Sequence, residues 1–439
     1  SASTFGEASD NTFYFPSVSV AWQFTKLQPL VNDLLSFGKL RFSYGEVGVQ
    51  PQRYKTSTSY IAPNFGDATG GGSLAGALYG NGAFIPSTTR GSLSLFPERK
   101  KELEVGADLR FFSDRLSLSA TYFANQTEDV LLDFPIANSR GITRLYTNGA
   151  EIENKGIEMD LGYNIIRTRN WKWNVGLIFT KIDNMVTRLG EGLDIDLGGL
   201  ASISARAIEG YPVGVLSGGT ILRDENGDIV FDEFGFPEQD IVNGVIGNPN
   251  PDWQGSATTS ISYKNLSLSV LLETFQGADI FAGSKAVMYD LGTWGSSAVE
   301  TTATQNLLEA NGNVIMAGET FRGIVHNYGA GPVALTESWY NGIGGYFGGG
   351  IDELYIEDGS WTRIREISLS YRIVSEWLKQ KVGVQSAELS AVGRNLFLWT
   401  EFEGNDPDTN LNGISKARGL EYFNNPATKS YVFTVSVTF

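Results

Sequence analysis

The chain of 439 residues has no cysteine and a single histidine, His326. The lack of cysteine excludes disulfides and thiol chemistry, and one histidine excludes most histidine-based catalytic and zinc sites. Positive charge is also scarce, since the formal net charge is -16. Nucleic-acid binding requires clustered Lys and Arg, so we expect no nucleic-acid partner. No set of residues resembles a nucleophile, a base and an oxyanion site, and we expect no enzyme.

Long apolar runs are missing as well. No stretch of 18 apolar residues occurs, so the sequence predicts no transmembrane helix. The opening residues SASTFGEASDNT lack the basic start and apolar centre of a signal peptide, and we expect the sequence to begin within a mature chain or a fragment. A barrel strand needs only about 9 to 11 alternating residues to cross a bilayer, so a membrane location stays open.

The chain is rich in aromatic residues (12%) and contains 52 glycines, which suits many strands and turns. Side chains alternate between apolar and polar with period 2, as in Val105 and Leu109 against Glu104 and Asp108. This alternation predicts eleven strands. They lie near residues 13–25, 38–48, 99–112, 115–131, 150–166, 171–183, 251–263, 266–277, 353–373, 386–400 and 428–439.

Alternation alone fits a soluble β-sandwich as well as a membrane barrel. The connections distinguish the two, because long and short ones alternate along the whole chain. Transmembrane barrels have tight periplasmic turns and long external loops, whereas a Greek-key sandwich has no reason for this pattern. We therefore predict an all-β, transmembrane, antiparallel up-and-down β-barrel. The long extracellular loops are expected near 49–98, 184–250, 278–352 and 401–427.

The odd number of strands has a consequence for the extent of the barrel. Complete bacterial barrels of one chain normally have an even number of strands with both ends in the periplasm. Eleven strands place the two ends on opposite sides. We expect strands to be missing upstream, so that residues 1–439 form the C-terminal part of a larger barrel or the other part is a separate chain.

Eight motifs, in order along nearly the whole chain, resemble the C-terminal half of the SusC-like (SusC/RagA-type) TonB-dependent transporters of Bacteroidetes outer membranes. They are FPSVSVAW, LRFSYGEVG, FPERKKELEVGADLRFFSDRLSLSATYF, NKGIEMDL, GNPNPDW, YIEDGSWTRIREISLSYRI, VGRNLFLWT and YFNNPATKSYVFTVSVTF. The resemblance implies a 22-stranded barrel of which this chain supplies half. It also implies a plug domain that this sequence does not contain.

The same resemblance implies a function. The chain would be the barrel part of an outer-membrane importer of oligosaccharides or peptides, without a cofactor. Its implied partners are membrane lipid, a SusD-like surface lipoprotein, the N-terminal plug with the upstream strands, and the TonB, ExbB and ExbD machinery reached through the N-terminal region. Two alternatives remain: a non-transporting surface receptor or adhesin, and a soluble carbohydrate-active β-protein.

One acidic segment has the spacing of a calcium loop. Asp224, Asn226 and Asp228 occupy the first, third and fifth positions, but Ile229 and Gly235 stand where an EF-hand needs Gly and Glu. The Asn-Gly pair inside this segment is the preferred turn of a two-residue hairpin. We favour the hairpin and keep calcium as the alternative.

A second acidic segment, residues 404–413, alternates Asp406 and Asp408 with two asparagines further on. Calcium is again possible chemically, since carboxylate and amide oxygens are its ligands. Asx turns in an external loop explain the pattern more simply, because Asp and Asn bond their own backbone.

Five aromatic residues lie among glycines in the long loop near 278–352. They could stack on sugar rings or cover an interface with a capping lipoprotein, and they could equally pack the loop against its neighbours, which we favour. The candidate contact residues are Trp294, Trp339, Tyr340, Tyr346 and Phe347.

The last strand, SYVFTVSVTF, places Tyr431, Phe433 and Phe439 on one face. An aromatic C-terminal strand is similar to the signal by which outer-membrane proteins are recognised for assembly. The alternative is that this strand only closes the barrel. On other strands, charged residues on the polar face are expected to line the lumen, either as paired charges beside a plug or substrate path or as a solvated wall. These are Glu102, Glu104, Asp108, Arg110, Glu158, Asp160, Glu366, Arg372 and Arg394.

Overall fold

Antiparallel strands form most of the structure, a computed structural model that describes residues 12–26, 34–61, 64–65, 74–75, 84–137, 139, 141–189, 193–200, 202–347, 349–413 and 417–439. Eleven strands make one sheet, which we call the wall. They are β1 (Ser17–Trp22), β2 (Leu35–Val49), β3 (Glu98–Phe111), β4 (Leu116–Pro135), β5 (Arg144–Arg167), β6 (Trp171–Arg188), β7 (Trp253–Tyr263), β8 (Leu266–Gln276), β9 (Trp361–Ile373), β10 (Ser386–Thr400) and β11 (Ser430–Thr438).

Each wall strand pairs antiparallel with the strand before it, so the order in space is the order in sequence. The predicted all-β, up-and-down arrangement is therefore confirmed, with all eleven predicted strands present. One short strand, Thr89–Arg90, adds to the wall by pairing in parallel with β5.

Neighbouring strands are in register so that like side chains share a face. Leu161 lies opposite Leu118 on one side and Leu177 on the other, while Asp160 lies opposite Ser119. The rows of leucine and of polar residues alternate along the strands because side chains point to opposite faces with period 2. The apolar row is exposed, as Leu177 shows with 45% of its surface accessible. This is the arrangement that a lipid-facing barrel wall requires.

Tight turns join the wall strands at one end. Lys264 and Asn265 alone connect Tyr263 to Leu266, and Lys264 has a positive φ of 52° as such two-residue turns demand. The rings of Trp171 and Tyr263 are 4.4 Å apart at this same end. Aromatic rings favour the boundary between hydrocarbon and water, so this end has the character of a membrane interface.

Two predicted strands are shorter than expected. The first ends at Trp22, before a 3-10 turn (Phe24–Lys26) in which Thr25 is buried and exchanges hydrogen bonds with the backbone of Gly38. The segment predicted as one strand, 353–373, is divided. A 3-10 turn (Asp352–Tyr355) and a short strand (Ile356–Asp358) come before β9.

The division before β9 has a local cause at Gly359. A Cβ there would lie 2.5 Å from atoms of Ile280, and the Gly359 amide donates to the Ala278 carbonyl. The chain therefore turns away from the wall at this glycine to pair residues 356–358 with 279–281. Alternation continues through such a break, so the sequence pattern alone did not reveal it.

Four strands extend by several residues beyond the predicted bounds, namely β2, β4, β5 and β6. The added residues Phe134 of β4 and Val186 of β6 lie with Ala150 of β5 in a buried cluster, which includes Ile195 and Ala207 of the following loop. These strand ends bury apolar side chains on protein instead of exposing them to lipid. The change of partner explains why the lipid-facing pattern ends before the strands do.

The remaining elements lie in the connections, where the sequence analysis predicted only loops. The helices are α1 (Gly283–Asp290), α2 (Glu337–Tyr340) and α3 (Glu376–Val382), with a further 3-10 turn at Gly295–Ala298. The short strands are Tyr60–Ile61, Asn64–Phe65, Leu74–Ala75, Ile85–Pro86, Asp194–Leu200, Ile203–Ile208, Val215–Gly218, Gly244–Gly247, Asp279–Ala282, Glu300–Thr302, Leu307–Leu308, Val314–Ile315, Thr320–Arg322, Ile324–Asn327, Pro332–Leu335 and Leu420–Glu421. Within the described ranges, no helix has the length and apolar character needed to span a membrane.

The two faces of the wall give a testable difference. Leu161→Arg would place a charge on the apolar face, and Glu158→Arg would place the same charge three residues away on the polar face. We expect Leu161→Arg to destabilise the folded barrel by about 2 to 4 kcal/mol and Glu158→Arg by far less. The measurement is the fraction of heat-modifiable folded protein in membranes, in the full-length protein. Equal losses for both variants would contradict the assignment of faces.

Candidate functional site

Three long connections leave the wall at the end opposite the tight turns and fold together. We call their described residues within 189–252, 277–360 and 401–429 the loop assembly. One buried core joins them, with Ile203, Trp339 and Leu420 contributed by different connections. These side chains are almost fully buried, at 0%, 3% and 0% exposed. The long loops are therefore a packed layer over one end of the wall rather than separate flexible strings.

The predicted contact aromatics divide between the inside and the surface of this layer. Trp339 and Tyr340 are buried in the shared core, and Trp294 and Tyr346 pack against it. Phe347 is 63% exposed. Tyr289 stacks on Tyr340 with ring centroids 4.5 Å apart. In this arrangement only Phe347 presents most of its ring to solvent, and its contact with a ligand or partner stays a prediction.

Burial also changes the acidity of these tyrosines. It raises the pKa of Tyr340 and of Tyr355 well above the usual value for a phenol. Burial raises the pKa of Tyr346 to about 12. The rings are therefore neutral hydrogen-bonding groups at physiological pH, which suits a packing role.

A buried ion pair holds the third connection to the rim of the wall. Arg363 of β9 donates a hydrogen bond to Asp406, and their side chains are only 3% and 5% exposed. Asp406 also accepts hydrogen bonds from the amides of Asp408 (3.1 Å) and Ala427 (3.1 Å). A buried charge is tolerated only when it is paired and hydrogen-bonded, and Asp406 meets both conditions.

A second arginine repeats this arrangement beside the first. Arg365 pairs with Asp408 at 2.6 Å and with Glu273 of β8. The guanidinium groups of Arg363 and Arg365 lie 5.5 Å and 4.9 Å from the centre of the Trp361 ring, within reach of a cation-π contact. Asp406 and Asp408, two residues apart, thus bind two arginines that are also two residues apart.

Lys285 of α1 ties the second connection to the third. Its ammonium group lies 2.6 Å from Glu357 and 2.6 Å from Glu403. Burial opposes the charge on Lys285, but the two carboxylates outweigh it and raise the pKa of the amine. Lys285 therefore stays charged as a bridge between residues that flank β9 and β10.

Asp352 joins the first and second connections. It is 5% exposed and accepts hydrogen bonds from the Ser202 hydroxyl (2.9 Å) and the Gly219 amide (2.8 Å). Burial raises the pKa of this carboxyl, and the two hydrogen bonds only partly offset the shift. Its neighbour Glu353 pairs with Arg223 at 2.7 Å. The hydrogen bonds of Asp352 and the ion pair of Glu353 all join the second connection to the first.

The segment around Asp224 forms a hairpin, as favoured, but its turn has Glu225 and Asn226 at the centre instead of Asn226 and Gly227, because the Gly227 amide donates to the Asp224 carbonyl at 3.0 Å. Arg223 and Ile229 are bridged, and one oxygen of Asp224 accepts from the amides of Asn226 (2.8 Å) and Asp228 (3.0 Å). These backbone hydrogen bonds lower the pKa of the Asp224 carboxyl. The next turn repeats the design: Asp232 accepts from the amides two and four residues further on, at 2.9 Å and 2.8 Å. The carboxylates of Asp224 and Asp232 thus accept hydrogen bonds from the backbone of the turns that contain them.

Neither acidic segment is arranged as a cation cage. Asp406 and Asp408 are committed to arginines, and Asp224 is directed to its own backbone. Among the residues that the structure describes, no group of three or more His, Cys, Asp and Glu side chains is placed to hold a metal ion. The geometry lends no support to calcium at either segment, and calcium binding stays a prediction.

The inner face of the wall carries paired charges. Asp108 lies 3.1 Å from Lys39 and 3.2 Å from Arg41, and Arg41 also donates to Thr121 (3.0 Å). Further along the wall, the predicted lumen residues Glu366 and Arg394 form an ion pair at 2.9 Å. Adjacent strands thus share their charges across the polar face, where both signs of charge are present.

Two predicted assembly residues lie on the outer face of β11, and the third, Phe439, follows its last residue. Tyr431, Phe433 and Phe439 are 67%, 80% and 78% exposed. Their position fits contact with lipid, and their role as an assembly signal stays a prediction.

Sequence reasoning missed the residues that fasten the loop assembly: Arg363, Arg365, Lys285 and Asp352. The alternate spacing of the two arginines matches that of Asp406 and Asp408, and this shared spacing was the available signal. No local pattern marked Lys285 or Asp352, because their partners are distant in sequence.

A polar cavity of about 1090 Å³ opens within the second connection of the loop assembly. It lies between the end of α1, the turn at 309–313, the strand Thr320–Arg322 and α2. Burial raises the pKa of Asp290 at its edge. The lining residues are Tyr289, Asp290, Leu291, Gly292, Ser297, Glu309, Asn311, Asn313, Phe321, Arg322, Leu335, Thr336, Glu337, Ser338, Tyr340 and Asn341.

Comparison with known proteins identifies a matching family model and several similar proteins. The family model described as TonB dependent receptor-like, beta-barrel matches residues 1–396. TonB-dependent receptor P3 of Formosa agariphila is 24% identical over 97% of the chain and 42% of its own length. TonB-dependent receptor SusC of Bacteroides thetaiotaomicron is 22% identical over 90% of the chain and 37% of its own length. The chain thus spans less than half the length of these relatives, which are named as receptors and not as enzymes.

Among solved structures, the RagAB peptide importer in its closed-closed state has a similar fold. The TM-score is 0.69 at 18% sequence identity, and the match covers 100% of this chain and 44% of that one. The open-open state gives the same TM-score of 0.69. The wall and the loop assembly therefore form an arrangement that a larger barrel protein also contains.

The Arg363–Asp406 pair is tested by Asp406→Ala, which leaves a buried guanidinium without its counter-charge. We expect residues 401–429 to lose about 3 to 5 kcal/mol of local stability. Asp194→Ala, which breaks the partly exposed pair with Arg206, is the control and should cost at most about 1 kcal/mol. Hydrogen exchange of the 401–429 backbone in the full-length protein measures the loss. Similar protection in both variants would contradict a fastening role for Asp406.

Asp352 gives a prediction on pH. Its raised pKa means that the folded state binds the proton more tightly than the unfolded chain does. The contribution of Asp352 to stability is therefore largest below the usual carboxyl value of 3.8 and is lost as the pH rises through the raised pKa. Asp352→Asn keeps both hydrogen bonds, because its amide can donate to Ser202 and its carbonyl can accept from Gly219.

We expect Asp352→Asn to remove the loss of stability that accompanies ionisation of Asp352 as the pH rises. At neutral pH the variant should therefore be at least as stable as the unchanged protein. The measurement is the thermal unfolding midpoint of the detergent-solubilised full-length protein between pH 4 and pH 8. A variant that is clearly less stable at pH 7 would show that the charged carboxylate itself is required.

Proposed function

Because the chain belongs to the TonB-dependent receptor-like β-barrel family, we propose that it forms half of the barrel of an outer-membrane importer for oligosaccharides or peptides. Proteins of this family lie in the bacterial outer membrane, and this chain does too. The observation that carries the proposal is the combination of a polar inner face on the wall with a packed loop assembly over the outer end. A hydrophilic lumen suits passage of a polar solute, and a structured outer layer suits its capture.

The peptide part of the substrate class is supported by the name of one similar structure. SusC and the RagAB peptide importer resemble this chain in sequence and in fold, respectively, and the second name states a peptide cargo. The inner-face ion pairs, such as Glu366 with Arg394, present both signs of charge and do not select an anionic or a cationic solute. A neutral oligosaccharide and a zwitterionic peptide are both compatible with such a lining.

The partners form part of the same proposal. A SusD-like lipoprotein would cover the loop assembly, and TonB with ExbB and ExbD would supply energy through a plug and an N-terminal region. The upstream strands would pair with this chain to complete a barrel of 22 strands. Exposed Phe347 is the predicted aromatic that this proposal places at the partner-facing surface.

A surface receptor or adhesin is the second candidate, favoured by the extent of the loop assembly alone. The two functions differ in their need for energy, since an adhesin binds without transport. If the protein is an importer, cells that carry the full-length protein should accumulate labelled oligosaccharide or peptide in the periplasm. It also predicts that deletion of TonB lowers accumulation to background while binding at the cell surface persists.

The control is a strain that lacks the protein but retains TonB. Surface binding without any TonB-dependent accumulation, across saccharide and peptide panels, would refute import and favour the adhesin.

A further inference from the structure

We propose that the polar cavity in the second connection of the loop assembly is a binding site for a neutral oligosaccharide. The site is formed within residues 289–341 and lies in the loop assembly, apart from the charged inner face of the wall. The proposal rests on the proposed function insofar as an importer benefits from capturing solute before passage. Binding itself needs neither the lumen nor energy.

The size of the cavity fits a short oligosaccharide. Its volume of about 1090 Å³ lies just above the usual range for sites that hold small molecules, roughly 300 to 1,000 Å³. The stacked rings of Tyr289 and Tyr340 form a rigid base, with both residues less than 10% exposed. Phe321 and Leu291 add apolar surface to the walls. The apolar surface of Phe321 and Leu291 can contact the C–H faces of a sugar ring.

The polar groups of the cavity are fixed but incompletely used. Glu309 accepts from the Thr336 hydroxyl at 2.6 Å, and Glu337 accepts from Asn341 at 3.2 Å, each through one carboxylate oxygen. The second oxygen of each carboxylate has no hydrogen-bond partner among the residues that the structure describes. These oxygens can accept from a ligand while the first oxygen holds the side chain in place.

Donors are present beside these acceptors. Arg322 donates to the carbonyl oxygens of Ser297 (3.2 Å) and Gly292 (3.4 Å), which positions its guanidinium at the cavity. Within the described part of the chain, no carboxylate lies in ion-pair distance of Arg322. Asn311 accepts from the Asn313 amide at 2.9 Å through its oxygen, so its NH₂ group is directed elsewhere. Acceptors and donors are thus interspersed.

This mixture selects the class of ligand. Every sugar hydroxyl both donates and accepts, so it matches carboxylates and amides together. An anionic ligand would face Asp290, Glu309 and Glu337 with only Arg322 to compensate, on a chain of net charge -16. A cationic peptide would suit the carboxylates but would leave the amide and guanidinium donors unmatched. A neutral polyhydroxyl compound satisfies all three kinds of group.

The test is calorimetric titration of the purified full-length protein in detergent. The probes are neutral tetrasaccharides of different linkage (maltotetraose, cellotetraose, laminaritetraose and mannotetraose), with tetraglycine and tetralysine as the peptide series. Glu337→Ala removes one carboxylate at an exposed position of the cavity. Asn341→Trp fills the opening with a bulky ring. Gln305→Ala changes an exposed residue of the same connection outside the lining and is the matched control.

We expect at least one tetrasaccharide to bind, with binding at least about tenfold weaker in Glu337→Ala and abolished in Asn341→Trp, since a hydrogen bond to a charged group is worth about that factor. Gln305→Ala should bind normally. Heat modifiability of each variant shows that it is folded. Binding that is unaffected by both cavity variants, absence of tetrasaccharide binding, or binding of peptides alone would overturn the proposal.

Failure of this site and failure of the proposed function are separable. TonB-dependent uptake with no binding at the cavity would refute the site and leave import standing. Cavity binding in a protein that supports no uptake would leave the site standing and refute import.

Discussion

The hydrogen-bonding demand of the backbone in hydrocarbon is the constraint on which the rest of this structure depends. A lipid environment offers no partner for a peptide N–H or C=O, and each unsatisfied group costs several kcal/mol. The wall meets this demand by pairing every inner strand with two neighbours along the chain order. Once the strands are paired, turns can occur only at their ends, and side chains must alternate between lipid and lumen. Leu161 and Asp160 differ in environment for this reason alone.

The same constraint creates the loop assembly. An up-and-down order sends connections alternately to one end or the other, so the three connections of the loop assembly leave the wall at the same end. A long loop by itself buries too little apolar surface to offset its conformational entropy. Three loops that share Ile203, Trp339 and Leu420 in one core overcome this cost together. Each loop is therefore ordered by the others, and a change that frees one of them should loosen all three.

The sequence predicted the wall because its information is local. Period 2 along each strand and the alternating connection lengths follow from a few adjacent residues, and all eleven strands and their order were correct. The extension of β4 to β6 and the break at Gly359 were missed because they depend on packing against distant loops. The spacing of Asp406 and Asp408 was noticed, but their arginine partners lie on a separate wall strand. The local sequence pattern singled out Asp406 and Asp408, but it could not show that they pair with arginines.

The two arginine pairs at the rim act on specificity more than on net stability. Burying Arg363 and Asp406 costs desolvation energy that their attraction only repays when the geometry is good, so replacing both by apolar residues need not weaken the fold. A shift of the third connection by one residue along β9 would, however, separate both pairs at once and leave buried charges unmatched. The alternate spacing of Arg363 and Arg365, with Trp361 beside both, admits one alignment of Asp406 and Asp408. The charges thus fix the position of this connection over the opening of the wall, and the apolar core that it joins is built on that position.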